Sequence, residues 1–149
     1  MSLKFRAFGA AATLLACFLV SFGATAADRA YKEGPVSIVS SIRTEPGHFD
    51  DYMAWLAGPW KQGLEAEKAA GLILGYNVYM TAPRGPGDPD VYLVVTYKNM
   101  AAMDDLDAKS DPIYEKLMGS QAQQSQANID RGKIRTVLGS EMIREATLK

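Results

Sequence analysis

The stretch Pro35-Val36-Ser37-Ile38-Val39-Ser40-Ser41-Ile42-Arg43-Thr44-Glu45-Pro46-Gly47-His48-Phe49-Asp50-Asp51-Tyr52 decides the fold. From Val36 to Thr44 the side chains alternate. Val36, Ile38, Ser40 and Ile42 face one way, and Ser37, Val39, Ser41 and Arg43 the other. Period two with β-branched residues predicts a strand. Glu45-Pro46-Gly47 stops it, because proline and glycine end the ladder and turn the chain. Past the turn the period changes. Phe49, Met53, Leu56, Trp60 and Leu64 recur at spacings of four, three, four and four, which is one apolar stripe along a helix. Pro59, with Gly58 beside it, predicts a kink or a restart in that helix. Gly71 is placed to end it.

Working outward, Leu72–Thr81 predicts a second strand, with Leu72, Leu74, Tyr76, Val78 and Met80 opposed to Ile73, Gly75, Asn77 and Tyr79. The loop Pro83-Arg84-Gly85-Pro86-Gly87-Asp88-Pro89 leads to a third strand, Val91–Lys98, and a short loop between two strands makes an antiparallel hairpin. Asn99 can cap a second helical region from Met100. Asp111-Pro112 predicts a break there, with Pro112 opening a longer helix through Ile113, Leu117 and Met118. Gln121–Gln126 reads as a solvated polar stretch. Arg135–Ile143 supplies a last strand, weakened by Gly139 within it. The order β-α-β-β-α-β is the split βαβ, an α+β ferredoxin-like arrangement with helices on one face of a four-stranded antiparallel sheet. The other face would be bare and partly apolar, which predicts a homodimer that hides it.

The amino terminus carries an address. Lys4 and Arg6 precede an apolar run from Ala7 to Val20, and Ala24-Thr25-Ala26 gives the small-residue A-x-A pattern. These are the parts of a secretory signal peptide cleaved after Ala26 or Ala27. The expected division is 1–27 signal peptide, 28–34 polar lead-in and 35–149 a single domain, periplasmic or secreted. Leu14-Leu15-Ala16-Cys17 also resembles a lipoprotein box. The apolar Phe18-Leu19-Val20 after it, where a polar tether is usual, makes a lipid on Cys17 the weaker reading. After processing, neither a membrane span nor a cysteine would remain, and thiol catalysis is excluded.

Composition narrows the functions. Of 149 residues, removing 27 leaves 122, and Lys4 and Arg6 go with them, so 14 basic side chains face 17 acidic ones. A mildly acidic domain has no broad attraction for phosphate backbones, so no nucleic acid partner is expected. Hydrophobic content of 48% and charged content of 22% exclude disorder for most of the chain. One Cys and one His exclude a disulfide framework and a Cys/His zinc cluster. No metal is expected.

Thr44-Glu45-Pro46-Gly47-His48-Phe49-Asp50-Asp51-Tyr52 resembles the strand-PG-helix entry of the dimeric α+β barrel superfamily. That superfamily includes antibiotic-biosynthesis monooxygenase-type domains and their stress-responsive and NIPSNAP-like relatives. Val94-Val95-Thr96-Tyr97-Lys98-Asn99-Met100-Ala101-Ala102-Met103-Asp104 is similar to the passage from third strand to second helix there. The likeness spans about Pro35 to Arg144, but its motifs are structural and identify a scaffold. By resemblance it admits cofactor-independent oxygenases of aromatic substrates, isomerases, haem-handling enzymes and proteins without a known reaction. The sequence departs from the haem-handling branches, having only His48, at a turn. Gly85-Pro86-Gly87 leads into a hairpin without a helix to receive a phosphate. No cofactor is expected.

His48 is the sole imidazole and the only general base of the usual kind at neutral pH, with Asp50 and Asp51 close enough to orient it. The same residues also account for a helix start, where acids favour the dipole. Trp60 and Tyr76 fall on core stripes. Tyr52, Trp55 and Tyr79, with Asn77 and Arg43, would line a pocket between the sheet and the first helix, or else cover a dimer interface. Asp104, Asp105 and Asp107 read as a solvated helix start, and Glu65, Glu67, Lys61 and Lys68 as a solvated helix face. The function these features favour is binding of a small apolar or aromatic molecule between sheet and helix. The alternative is a cofactor-independent monooxygenase or isomerase acting on an aromatic or polyketide-like compound. A third reading is a purely structural role.

Overall fold

The structure, a computed structural model, describes residues 28–149. The signal peptide and the lipoprotein box expected within residues 1–27 lie outside the described residues. Strand β1, Tyr31–Thr44, starts inside the expected polar lead-in. Strand β4, Arg135–Leu148, likewise outruns its predicted end. The two extensions explain each other: Tyr31, Lys32 and Glu33 pair with Leu148, Thr147 and Ala146. Backbone ladder bonds lengthen both strands there, whatever their side chains are.

Gly47, at φ +83°, makes the turn that a side chain would strain. The His48 N–H closes it on the Glu45 carbonyl at 2.9 Å. Helix α1, Phe49–Trp55, then runs through one π-helical turn, Leu56–Trp60, into α2, Lys61–Ala69. The kink expected at Pro59 is this widened turn, which tolerates a residue with no N–H to donate. Gly71, at φ +74°, ends α2 as predicted. Strand β2 is only Gly75–Met80. Ile73 is buried and Leu74 exposed, because the Leu72 N–H still bonds the Glu67 carbonyl and the strand alternation has not begun.

Strand β3 is Val91–Tyr97. The Asn99 side chain accepts from the Ala102 N–H at 2.9 Å and caps a short 3₁₀ turn, Met100–Met103. Helix α3, Leu106–Met118, passes through Pro112 without the predicted break. The proline removes one helical bond, and the rest of the turn holds. The solvated polar stretch Gln121–Gln126 is largely exposed as expected and is helical, the start of α4, Gln121–Arg131. Ser120 and Gln123 form a reciprocal capping box there, and glutamine and alanine are sound helix formers.

The sheet order is β2-β3-β1-β4, all antiparallel. Val36, Ile42, Val91, Leu93 and Tyr97 are buried beneath the helices. One core cluster joins Ile42, Val91 and Leu93 to Tyr52 and Leu56, and a second joins Leu64, Ile73 and Tyr97, with Trp60 packed against both. Each such side chain contributes about 1.5–3 kcal/mol on leaving water. Ser37, Val39 and Ser41 pair with Thr96, Val94 and Tyr92 on the opposite face, beside Asn77 and Tyr79. Among the described residues no helix covers that face. Strand β4 is exposed along most of its length, including Val137, Met142 and Ile143.

Candidate functional site

The helical layer leaves two adjoining hollows, of about 330 and about 550 Å³, which share Trp55, Met118, Ala127 and Arg131. Trp60, Tyr114 and Gln124 complete the first. Leu117, Ile134 and Asp130 are among the walls of the second. Each is of the size that takes a small organic molecule, with apolar walls and few polar groups. Helix α1 supplies Trp55 because residues 52 and 55 sit on one side of a helix. The ring stacks on buried Tyr52, centroids 5.7 Å apart and planes 16° from parallel. Trp60 is held edge-on to Tyr76 at 5.2 Å. Both indoles are therefore fixed before any ligand arrives.

The polar end is cationic. The Arg131 guanidinium lies 4.3 Å over the Trp55 ring and donates to the Asn128 side chain at 3.1 Å. Burial and the neighbouring Arg135 charge hold its pKa below the ordinary arginine value. Arg135 also donates to Tyr52, whose hydroxyl is pushed up by burial and pulled back by both arginines. The Nε atoms of Arg131 and Arg135 are buried with no hydrogen-bond partner. Buried donors seldom go unmatched.

A second polar group adjoins the first hollow. Glu67, expected on a solvated helix face, is only 6% exposed. The stripe carrying Trp60 and Leu64 extends one turn to residue 67, so packing of α2 on α3 carries the carboxyl inside. Burial raises its pKa, and a hydrogen bond from the Tyr114 hydroxyl opposes the rise. Burial and the Glu67 charge together push the Tyr114 phenol up strongly. Outside this cluster, Tyr76 is pushed up to about 12, chiefly by its hydrogen bond to Glu65.

The residues expected to share a pocket divide between the two faces of the sheet. Trp55 walls both hollows, whereas Tyr52 lines neither and is a core residue stacked behind it. Asn77 and Tyr79 sit on the uncovered face, Tyr79 with 54% of its surface exposed. Arg43 lies at the end of that face and donates to the Pro86 carbonyl at 2.6 Å. Strand alternation is the reason: paired positions share a face, and these three oppose Ile42 and Val78. His48, its side chain 44% exposed, bonds Asp51 at 2.8 Å outside the hollow. It lines neither hollow. Trp60, Tyr114, Met118, Arg131, Arg135 and Glu67 were not among the expected site residues. Among the described residues no group of three or more His, Cys, Asp or Glu side chains is placed to hold a metal.

A four-stranded antiparallel sheet in this order, with helices packed on one face, is the ferredoxin-like α+β fold. Comparison with solved structures finds the following likenesses. Protein SO0527 from Shewanella oneidensis is similar with a TM-score of 0.50 and 18% identity, over 78% of this chain and 98% of that one. HapK from Hahella chejuensis has a TM-score of 0.46 and 11% identity, over 74% of this chain and 91% of that one. No family profile and no curated protein matches the sequence. The likeness is one of fold.

Proposed function

We propose that the chain is an exported, homodimeric binding protein that holds one small apolar or aromatic molecule between Trp55, Trp60, Tyr114 and Met118. The observation that carries this reading is the pair of adjoining hollows, walled by preset aromatic rings and ended by Arg131 over Trp55. Rigid aromatic walls lower the ordering cost of binding. Export rests on the amino-terminal pattern from Lys4 to Ala27. Dimerisation rests on the uncovered sheet face and on β4, where Met142 and Ile143 stand in water.

Native mass spectrometry of the protein purified from the periplasm of cells expressing the full chain tests all three parts. The expected species is a dimer beginning near Ala27 or Asp28, with a reproducible small adduct that Trp55→Ala removes. A chain that retains residues 1–27 would sink export. A bare protein that stays bare against a panel of aromatic compounds would sink the binding reading.

One observation favours a catalytic alternative, proton abstraction by a cofactor-independent oxygenase or isomerase. Tyr114 borders the hollow and its hydroxyl reaches Glu67, a buried carboxyl with a raised pKa, which is the environment of many general bases. Oxygen uptake with anthrone or quinol substrates, lost in Glu67→Gln, would move the assignment to that class.

A further inference from the structure

Resting on the binding reading above, we infer that the bound molecule is a small aromatic acid, its planar oxyanion held by Arg131 at the hollow, with the charge of Arg135 reinforcing it from behind the wall, and its ring lying against Trp55 and Trp60. Among the described residues Arg29 and Arg144 pair with Glu33 and Arg84 with Asp88, while exposed Arg43 donates to a carbonyl. Arg131 and Arg135 meet only neutral groups, Asn128 and Tyr52, and among the described residues form no ion pair within 4.0 Å. Their neighbours are already committed. Asp130, on the wall of the second hollow, bonds Lys133 at 2.6 Å and Gln126 at 3.4 Å. Asp90, whose charge reaches Tyr52, accepts from the Thr44 backbone and hydroxyl. Tyr52 brings a neutral phenol.

Two like charges are thus set side by side with buried Nε donors that nothing in the fold satisfies. Such an arrangement is costly unless an anion completes it. The partner's shape follows from the donors. A guanidinium presents a planar fork matched to a carboxylate. Stacking on Trp55 uses the face of Arg131; one Nη2 N–H goes to Asn128, and the remaining N–H groups of the edge can meet that fork. The body follows from the walls, which are aromatic and apolar. Arg131 is the last residue of α4, where the helix dipole favours a positive charge.

The test compares 2-naphthoate with its neutral isostere 2-naphthamide, by equilibrium dialysis against the protein purified from cells expressing the full chain. Wild type is expected to bind the acid about tenfold or more tightly than the amide, as charge-assisted hydrogen bonds require. Rising salt should narrow that ratio. Arg131→Gln should bring the ratio close to one, and Arg135→Gln should reduce it. The second variant keeps the test sound if the first disturbs α4. Equal affinity of wild type for acid and amide would overturn the anionic head and leave the aromatic hollow standing. Binding of neither compound would overturn the hollow as a binding site. A preference for the acid that survives in both arginine variants would place the anion elsewhere and overturn the assignment.

Discussion

Gly63 lies in α2 against Tyr114, and its replacement by alanine sets two effects of opposite sign against each other. A Cβ built there would sit 2.5 Å from Tyr114 Cε1, 3.0 Å from its Oη and 3.1 Å from Cζ. Carbon atoms in ordinary contact stand about 3.5–4.0 Å apart, so the ring must retreat by about 1 Å. The obstacle is the edge of a ring and not the tip of a flexible chain. Alanine gains about 1 kcal/mol over glycine inside a helix. Forcing a methyl into packed surroundings costs about 1–3 kcal/mol. Moving Tyr114 off Glu67 weakens a hydrogen bond to a buried carboxyl, at a further cost of about 1 kcal/mol or more. The clash wins, by about 1–3 kcal/mol net. At about 4 °C per kcal/mol for a domain of this size, Tm should fall by about 4–12 °C.

The decisive assay is a double-mutant cycle by thermal or urea denaturation, with Gly63→Ala made in wild type and in Tyr114→Ala. With the ring removed the clash is gone and only helix propensity remains. The same substitution should then stabilise by about 1 kcal/mol. A reversal of sign between the two backgrounds is the expected signature. Stabilisation by Gly63→Ala in wild type itself would refute the reasoning, since it would mean that Tyr114 moves freely and does not fix the wall of the hollow.

Three further outcomes follow from the same packing. Burial raises the Glu67 pKa, so the folded protein holds that proton more tightly than the unfolded chain does. Its contribution is full in acid, below the ordinary glutamate range, and fades as pH rises through the folded pKa. Glu67→Gln should therefore lose less stability than wild type between pH 5 and 8 in urea melts, and parallel slopes would count against the burial argument. His48→Ala should change stability by less than about 0.5 kcal/mol and leave 2-naphthoate binding unaltered, because the His48–Asp51 pair is exposed. A tenfold loss of binding would return His48 to the site. Ile143→Asp, on the uncovered face, should convert a dimer to a folded monomer by light scattering, whereas a wild-type monomer at the same concentration would end the dimer proposal.

Much of the fold was legible because its signals are local. The alternation in Val36–Thr44, the turn at Pro46-Gly47 and the stripe from Phe49 to Leu64 each fix an element without help from distant residues. The outer parts of β1 and β4 were not legible, since Tyr31–Glu33 and Ala146–Leu148 are strands only because they meet each other. Helix α4 was missed for a related reason. Its polar side chains carry no apolar stripe, and the capping box formed by Ser120 and Gln123 was the one signal that could have revealed it. Glu67 is a charged residue whose burial shows only in its position, one turn beyond Leu64 on a buried stripe.

The site was less legible than the fold because α4 builds it. A β-α-β-β-α-β unit needs one helix between β3 and β4, and here there are two. None of the α4 side chains is buried, so this helix does not fill the core. At eleven residues it is also too short to be stable on its own. What holds it is the capping box at one end and, at the other, Arg131 laid over Trp55. Those few contacts offset the ordering of eleven residues poorly, yet they set Gln124, Ala127 and Arg131 over the aromatic hollow. A ligand that bridges Arg131 and the indoles would supply the missing stabilisation and make α4 and the bound molecule mutually dependent. Binding should then slow amide exchange in α4 more than in β1 or β3, and uniform protection across the domain would refute that coupling.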